Sequence, residues 1–303
     1  MKRITVVIAA ALSALVVLAP AASASARAPL HVVALGDSYG SGTGAGDYQP
    51  GTEGTCWRSN NSYSAVTVAD LRAKGRQVDY TNVTCSGAAI GDLSTTFKGE
   101  PAQLDALTHD TDVVFLTIGT NDIDFAAYGA LCVQGDCTGA PTQATLAKLP
   151  AMSAKLSALF GDIKARSPHA KVVFGAYGRQ LSPAANPDGV QLDPICGDTF
   201  FSGDERVQGN GVAEALDRTL RDTTYAARAN GVDTVFVSPY TDSVNVGATF
   251  AGHSLCEAGT PFYRGFDALA PGQEGIEAVL HLNKDGQAAI ASLVRRKVPE
   301  LAC

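Results

Sequence analysis

Short runs of apolar, β-branched and aromatic residues recur along the chain at 32–35, 113–118, 172–176 and 235–237, with a weaker run at 77–83. The strong runs are continuously apolar, which is how strands buried on both faces read. Between them lie longer stretches whose apolar positions fall three and four apart, at 63–73, 145–166, 212–229 and finally 284–297. That spacing predicts helices with one apolar face. Strand alternating with helix predicts an α/β fold, with a parallel sheet between two helical layers. Residues 129–141, rich in Gly and Cys, and 181–194, rich in Pro and Asp, read as surface loops.

The first apolar stretch is of a different kind. Met1-Lys2-Arg3 is followed by an almost wholly apolar segment at 4–19, then Pro20 and the small-residue site Ala24-Ser25-Ala26. A spanning helix needs about 18 or more apolar residues, and this run is shorter. It reads as a secretory signal peptide at 1–26, with Ala24 as a second place for the cut. The expected mature chain, 27–303, is one domain with no integral membrane segment, secreted and monomeric. Its formal charge is negative, from 30 Asp and Glu against 23 Lys and Arg over the whole chain. An acidic surface argues against nucleic acid and against a purely electrostatic hold on anionic lipid.

Export makes disulfides the natural state of the seven cysteines, Cys56, Cys85, Cys132, Cys137, Cys196, Cys256 and Cys303. The sequence alone selects no pairing, although Cys132 and Cys137 are close enough to clip the loop between them. Cys303, at the chain end, is the candidate odd thiol. No C-x-x-C and no histidine pair at ligand spacing occurs, so no metal is expected.

In parallel sheets ligands bind beyond the carboxyl ends of the strands. The first strand is followed by Gly36-Asp37-Ser38, the second by Cys85-Ser86-Gly87, the third by Gly119-Thr120-Asn121-Asp122. Each alone reads as a turn, a tight bend or a helix cap. Together they supply a hydroxyl nucleophile, an unobstructed backbone N–H and a side-chain amide donor, the set that acyl transfer needs. A base is still required. His31 precedes the first strand, and His109 and His169 lead into strands at the wrong end of the sheet. His253 is tied close to Cys256. His281, just before the final helix and its expected cap Asn283, is the favoured base.

Four separated blocks, GDSYGSG, CSGA, GTND and HLNKDGQ, resemble those of the SGNH hydrolases, the GDSL lipases and esterases. Ser38, Gly87, Asn121 and His281 occupy the four lettered positions. "C-x-R-S" at 56–59 and "F-x-G-H-x-x-C" at 250–256 are similar to the secreted actinobacterial lipases and esterases. The resemblance implies a flavodoxin-like three-layer α/β/α sandwich around a central, mostly parallel sheet. It implies a secreted serine esterase or lipase that hydrolyses carboxylic esters without cofactor or metal. Ser38 would form the acyl-enzyme, His281 would act as base, and the N–H groups of Ser38 and Gly87 with the Asn121 side chain would form the oxyanion hole. It further implies disulfides Cys56–Cys85, Cys132–Cys137 and Cys196–Cys256. The match of 36–40 to the G-x-S-x-G elbow of α/β-hydrolases is coincidental, since that fold needs earlier strands and Ser38 lies too near the start.

Two positions depart from the family pattern. Ala278 stands where an Asp three residues before the histidine is usual, and Leu282 follows His281 where Pro is frequent. Three groups could orient the imidazole: the Val279 backbone carbonyl, which gives a Ser-His dyad, or the carboxylates of Glu277 and Asp242. The substrate also stays open. Phospholipase A-type and carbohydrate acetylesterase activities are alternatives, as is a non-catalytic binding protein on the same fold. Phe250, Phe262, Tyr263 and Phe266 either serve an acyl chain or cover the sheet as core.

Overall fold

The computed structural model describes residues 28–302. The expected signal peptide and Cys303 therefore lie outside the described residues. Five strands form one sheet: β1 (Leu30–Gly36), β2 (Val78–Asn82), β3 (Val113–Thr117), β4 (Lys171–Gly175) and β5 (Thr234–Val237). Their order is β2-β1-β3-β4-β5, and every neighbouring pair is parallel. This is the doubly wound flavodoxin order, whose ligand crevice opens where the order reverses, here between β1 and β3.

Among the described residues, seven α-helices accompany the sheet: α1 (Ser38–Ser41), α2 (Tyr63–Ala73), α3 (Phe125–Gln134), α4 (Ala140–Leu146), α5 (Leu149–Arg166), α6 (Gly203–Ala229) and α7 (Lys284–Lys297). α2 packs on α7, and α5 packs on α6, which gives the two outer layers. Every residue of β3 is buried, as its unbroken apolar run requires. α7 starts where the Asn283 side chain accepts from the N–H groups of Asp285 and Gly286, a cap worth about 1 kcal/mol.

Three expectations need correction. The helix expected at 145–166 is broken: α4 ends at Leu146, and α5 restarts at Leu149 with Pro150 in its first turn. Proline has no N–H to donate to the preceding turn, so it sits where a helix begins. α6 starts at Gly203, well before the expected 212. Gly209 and Gly211 dilute the periodicity there, while a capping box between Ser202 and Glu205 fixes the true start. The stretch expected as a loop from 129 is helical to Gln134, and only a short turn remains before α4. The structure joins Cys132 to Cys137 across that turn, and also joins Cys56 to Cys85 and Cys196 to Cys256.

Candidate active site

β1 delivers Ser38 to the crevice through a turn that only glycine can make. Gly36 has φ +137°, and a Cβ there would lie 2.1 Å from the Thr117 carbonyl oxygen of β3. The buried Gln103 side chain grips Gly36 on both sides, accepting from its N–H at 2.7 Å and donating to its carbonyl at 3.0 Å. Asp37 then caps α1, its carboxylate accepting from the Tyr39 N–H at 3.0 Å. Ser38 is the first residue of α1 and is 7 % exposed.

The loops after β2 and β3 meet beside it. Gly87 takes φ +85°, a left-handed conformation that side chains rarely adopt. Asn121 Nδ2 donates to the Ala88 carbonyl at 2.8 Å, which fixes the amide orientation because a carbonyl can only accept. The second Nδ2 hydrogen remains for another acceptor. Asp122 strengthens the same junction, accepting from the Ile90 N–H and from Lys155 Nζ, each at 2.9 Å.

The loop before α7 carries His281. Its Nε2 lies 2.7 Å from Ser38 Oγ, and its Nδ1 lies 3.2 Å from the Val279 carbonyl oxygen. Nδ1 must therefore hold the proton, and Nε2 is left to accept from the serine. Desolvation pushes the imidazole down to about 4, outweighing the Val279 carbonyl. At neutral pH the ring is uncharged and able to take a proton. Gln287 of α7 pins this end of the chain to the serine turn. Its amide donates to the Tyr39 carbonyl at 3.0 Å and accepts from the Tyr63 N–H at 2.8 Å.

The other orienting candidates stand apart from the imidazole nitrogens. The exposed Asp242 carboxylate is engaged by Val244 and Asn245. Glu277 is exposed at the cleft rim. His253 stacks on Phe262, and His109 meets His169. Among the described residues, no group of three His, Cys, Asp or Glu is arranged to hold a metal.

Several supporting groups carried no sequence signal. Asp37 is fully buried without a cation, and burial raises its carboxyl to about 7 despite its hydrogen bonds. Tyr177 donates to it at 2.5 Å and Thr120 at 3.2 Å, so the loops after β1, β3 and β4 converge on one carboxyl group. Nothing in Gln103 or Tyr177 as residue types marks them in advance.

From Ser38 and His281 an apolar cleft of about 430 Å³ opens along α3. Phe125, Ala126, Gly129, Ala130 and Val133 form one side, and Phe201, Phe266 and Leu280 are among the apolar residues across from it. Of the four aromatics in question, Phe266 serves the cleft. Phe250 and Tyr263 are buried in the core, and Phe262 packs against it.

The GDSL-like lipase/acylhydrolase family model matches residues 34–289. A lipase from Streptomyces rimosus is 33% identical over 248 residues, covering 80% of each chain. Among solved structures, the extracellular lipase of Streptomyces rimosus superposes with a TM-score of 0.65 at 28% identity, covering 89% of this chain and all of that one. Phospholipase A1 from Streptomyces albidoflavus NA297 gives a TM-score of 0.66 at 25% identity, with the same coverage of this chain. The family match runs from β1 into α7 and so takes in all four sequence blocks that meet at the crevice: the chain belongs to the GDSL-like lipase/acylhydrolase family.

Proposed function

We propose that this carboxylic ester hydrolase cleaves lipid-type esters through an acyl-enzyme on Ser38, with His281 as the sole base. The observation that carries this reading is the 2.7 Å approach of a neutral imidazole to Ser38 Oγ at the mouth of an apolar cleft. His281 Nε2 takes the serine proton as Oγ attacks the ester carbonyl carbon. The Ser38 and Gly87 N–H groups and the Asn121 amide hold the oxyanion. The imidazolium returns its proton to the departing alcohol, and water repeats the sequence on the acyl-enzyme to release the acid. The Val279 carbonyl keeps Nδ1 protonated throughout, so a Ser-His dyad suffices.

The acyl chain lies along α3. The likeness to a phospholipase A1 supports phospholipids among the esters accepted. The signal-like segment, the disulfides and the extracellular neighbour support action outside the producing cell. Hydrolysis of chromogenic esters of graded chain length by the mature protein tests the proposal. Turnover that rises from acetyl toward longer acyl groups is expected. A profile restricted to acetyl esters would reject the lipid assignment, and absence of turnover would leave the binding-protein reading.

Gly129 makes the cleft assignment specific. A Cβ on it would meet only Leu280, at 3.8 Å, across the cleft. Gly129→Leu fills the space while favouring the helix, since leucine is a better helix former than glycine. The expected result is a preference for short over long chains increased by about tenfold, the value of ~1.4 kcal/mol of lost long-chain binding. An unchanged chain-length profile in the folded variant would place the acyl chain elsewhere.

The depressed histidine gives a pH signature. An imidazole that stays neutral down to about 4 keeps kcat/KM nearly flat from neutral pH to about pH 5, with the acid limb below that. A free histidine would put the limb near its ordinary value of about 6.5. The folded state binds fewer protons at this site than the unfolded chain, so His281 also makes stability fall as pH drops from about 6.5 toward about 4. An activity limb at pH 6 to 7 would contradict the enclosed, unpaired imidazole.

A further inference from the structure

We propose that Tyr39, the residue after the nucleophile, is a positioning residue that holds the His281 loop in the shape that lets a backbone carbonyl orient the imidazole. The inference rests on the assignment of His281 as base. The Tyr39 hydroxyl donates to the Leu280 carbonyl at 2.5 Å and accepts from the buried Gln180 amide at 3.0 Å. Its ring lies 4.8 Å from the His281 ring, centre to centre, and its backbone carbonyl is held by Gln287. One residue thus touches the base from below and the loop from the side.

The loop needs holding because of Leu280. It has φ +65°, in the left-handed region that leucine adopts only under constraint. Two consecutive peptide units flank it, and each has a task. In the first, the Leu280 N–H donates to the Arg264 carbonyl at 2.8 Å, which turns the Val279 carbonyl the opposite way, onto His281 Nδ1. In the second, the Leu280 carbonyl is the one that Tyr39 grips. Arg264 fixes one plane, and the next is held at both ends, by Tyr39 on its carbonyl and by the Ala278 carbonyl, which accepts from the His281 N–H at 3.0 Å; the unusual dihedral lies between these anchors, and Tyr39 is the side-chain member of the set. Without the Tyr39 anchor the chain relaxes at Leu280, and the Val279 carbonyl swings off the imidazole. A carboxylate on a flexible side chain could follow the ring through such a movement, but a backbone carbonyl cannot. The absence of an acid at Ala278 therefore transfers the orienting burden to the backbone, and through it to the tyrosine.

Burial keeps the Tyr39 hydroxyl protonated well above its ordinary range, so it remains a donor at every pH of interest. The Gln180 amide directs its single hydrogen toward Leu280, since a hydroxyl that accepts from one side donates on the other.

The test is Tyr39→Phe, which retains the ring against His281 and removes the hydroxyl. Expected is a fall in kcat of about tenfold on a soluble ester with KM within about twofold, because orientation of the base acts on the chemical step. The acid limb should move up toward the ordinary histidine value, as the released imidazole becomes better solvated. Nitrogen NMR of the histidine ring should show Nδ1–H as the dominant neutral tautomer in the wild type and a mixture in the variant. Adding Leu280→Gly should restore most of kcat, because glycine takes the left-handed conformation without constraint. A merely structural tyrosine would lower the melting temperature and leave kcat, tautomer and acid limb in place; that result overturns the proposal. So does a loss of kcat that Leu280→Gly fails to recover. If Tyr39→Phe does not accumulate as folded protein, Gln180→Met removes only the donor that directs the hydroxyl. It should give the same changes at smaller amplitude, about threefold in kcat, and an unchanged kcat and tautomer there count equally against the proposal. Full activity in His281→Ala would instead refute the base assignment, a separate outcome.

Discussion

Ser38→Ala is expected to lower kcat for ester hydrolysis by roughly 10⁴-fold or more while leaving the melting temperature within about 2 °C, the pattern of a lost nucleophile. The side chain is small, and its Oγ is engaged by His281 alone among the described side chains. Its removal therefore opens little space and strands no buried donor. His281→Ala should cost a similar factor. Ser38→Ala combined with His281→Ala should be no slower than either alone, since the two act as one proton-transfer unit and removing either disables it. Steady-state rates with circular dichroism on the purified variants check all three. A Ser38→Ala variant that retained a tenth of the activity, or a double variant whose losses multiplied, would exclude the acyl-enzyme.

Asn121→Ala should lower kcat by about 10²–10³-fold with KM little changed, as for other oxyanion donors. The reason lies in timing. In the proposed oxyanion role the free Nδ2 hydrogen meets a charge that exists only near the transition state, so its loss would fall on turnover and not on ground-state binding. Asn121 also ties the glycine loop through Ala88, and this second role has its own control. Asp122→Asn loosens the same junction at Ile90 without altering the crevice donors. Its effect on kcat should stay within about tenfold, ~1.4 kcal/mol of barrier. Equal losses in both variants would reduce Asn121 to a strut, and a raised KM at constant kcat would reassign it to substrate binding.

The sheet was legible because its strands are buried on both faces, and continuous runs such as Val113 to Thr117 have no other economical reading. The start of α7 was legible because Asn283 caps it, and α2 was legible from its periodicity alone, with Ser62 found to cap it. What escaped were helices whose identity depends on their surroundings. The second part of α3 looked like loop because Gly129, Cys132, Gly135, Cys137 and Gly139 crowd that stretch, and its apolar side chains line a cleft where a core helix would bury them. The first third of α6 was hidden by its glycines. At the site, Ser38, Gly87, Asn121 and His281 could be picked out because each follows a strand or precedes a helix at the open edge of the sheet. Their supports could not. Gln103, Tyr177 and Gln180 are ordinary polar residues whose partners lie 67, 140 and 141 positions away in the chain. Sequence spacing holds no information on such pairings. Val279 is harder still, because its contribution is a carbonyl that every residue possesses.

The proposed nucleophile and base are separated by 243 positions, and the Gln287 amide that stitches α7 to the serine turn bridges 248. A chain emerging from its N-terminus therefore presents Ser38 long before His281. On this assignment catalytic competence cannot precede synthesis of residues 281–287, because a nascent chain lacking them has neither the imidazole nor the Gln287 clamp that seats it. Recovery of activity during refolding then reports the final long-range closure and lags behind recovery of helical signal, since contacts between distant segments form slowly. Proteolytic loss of α7 and the loop before it would remove the proposed base together with half of one outer layer. Chain order itself thus withholds hydrolysis until assembly is complete.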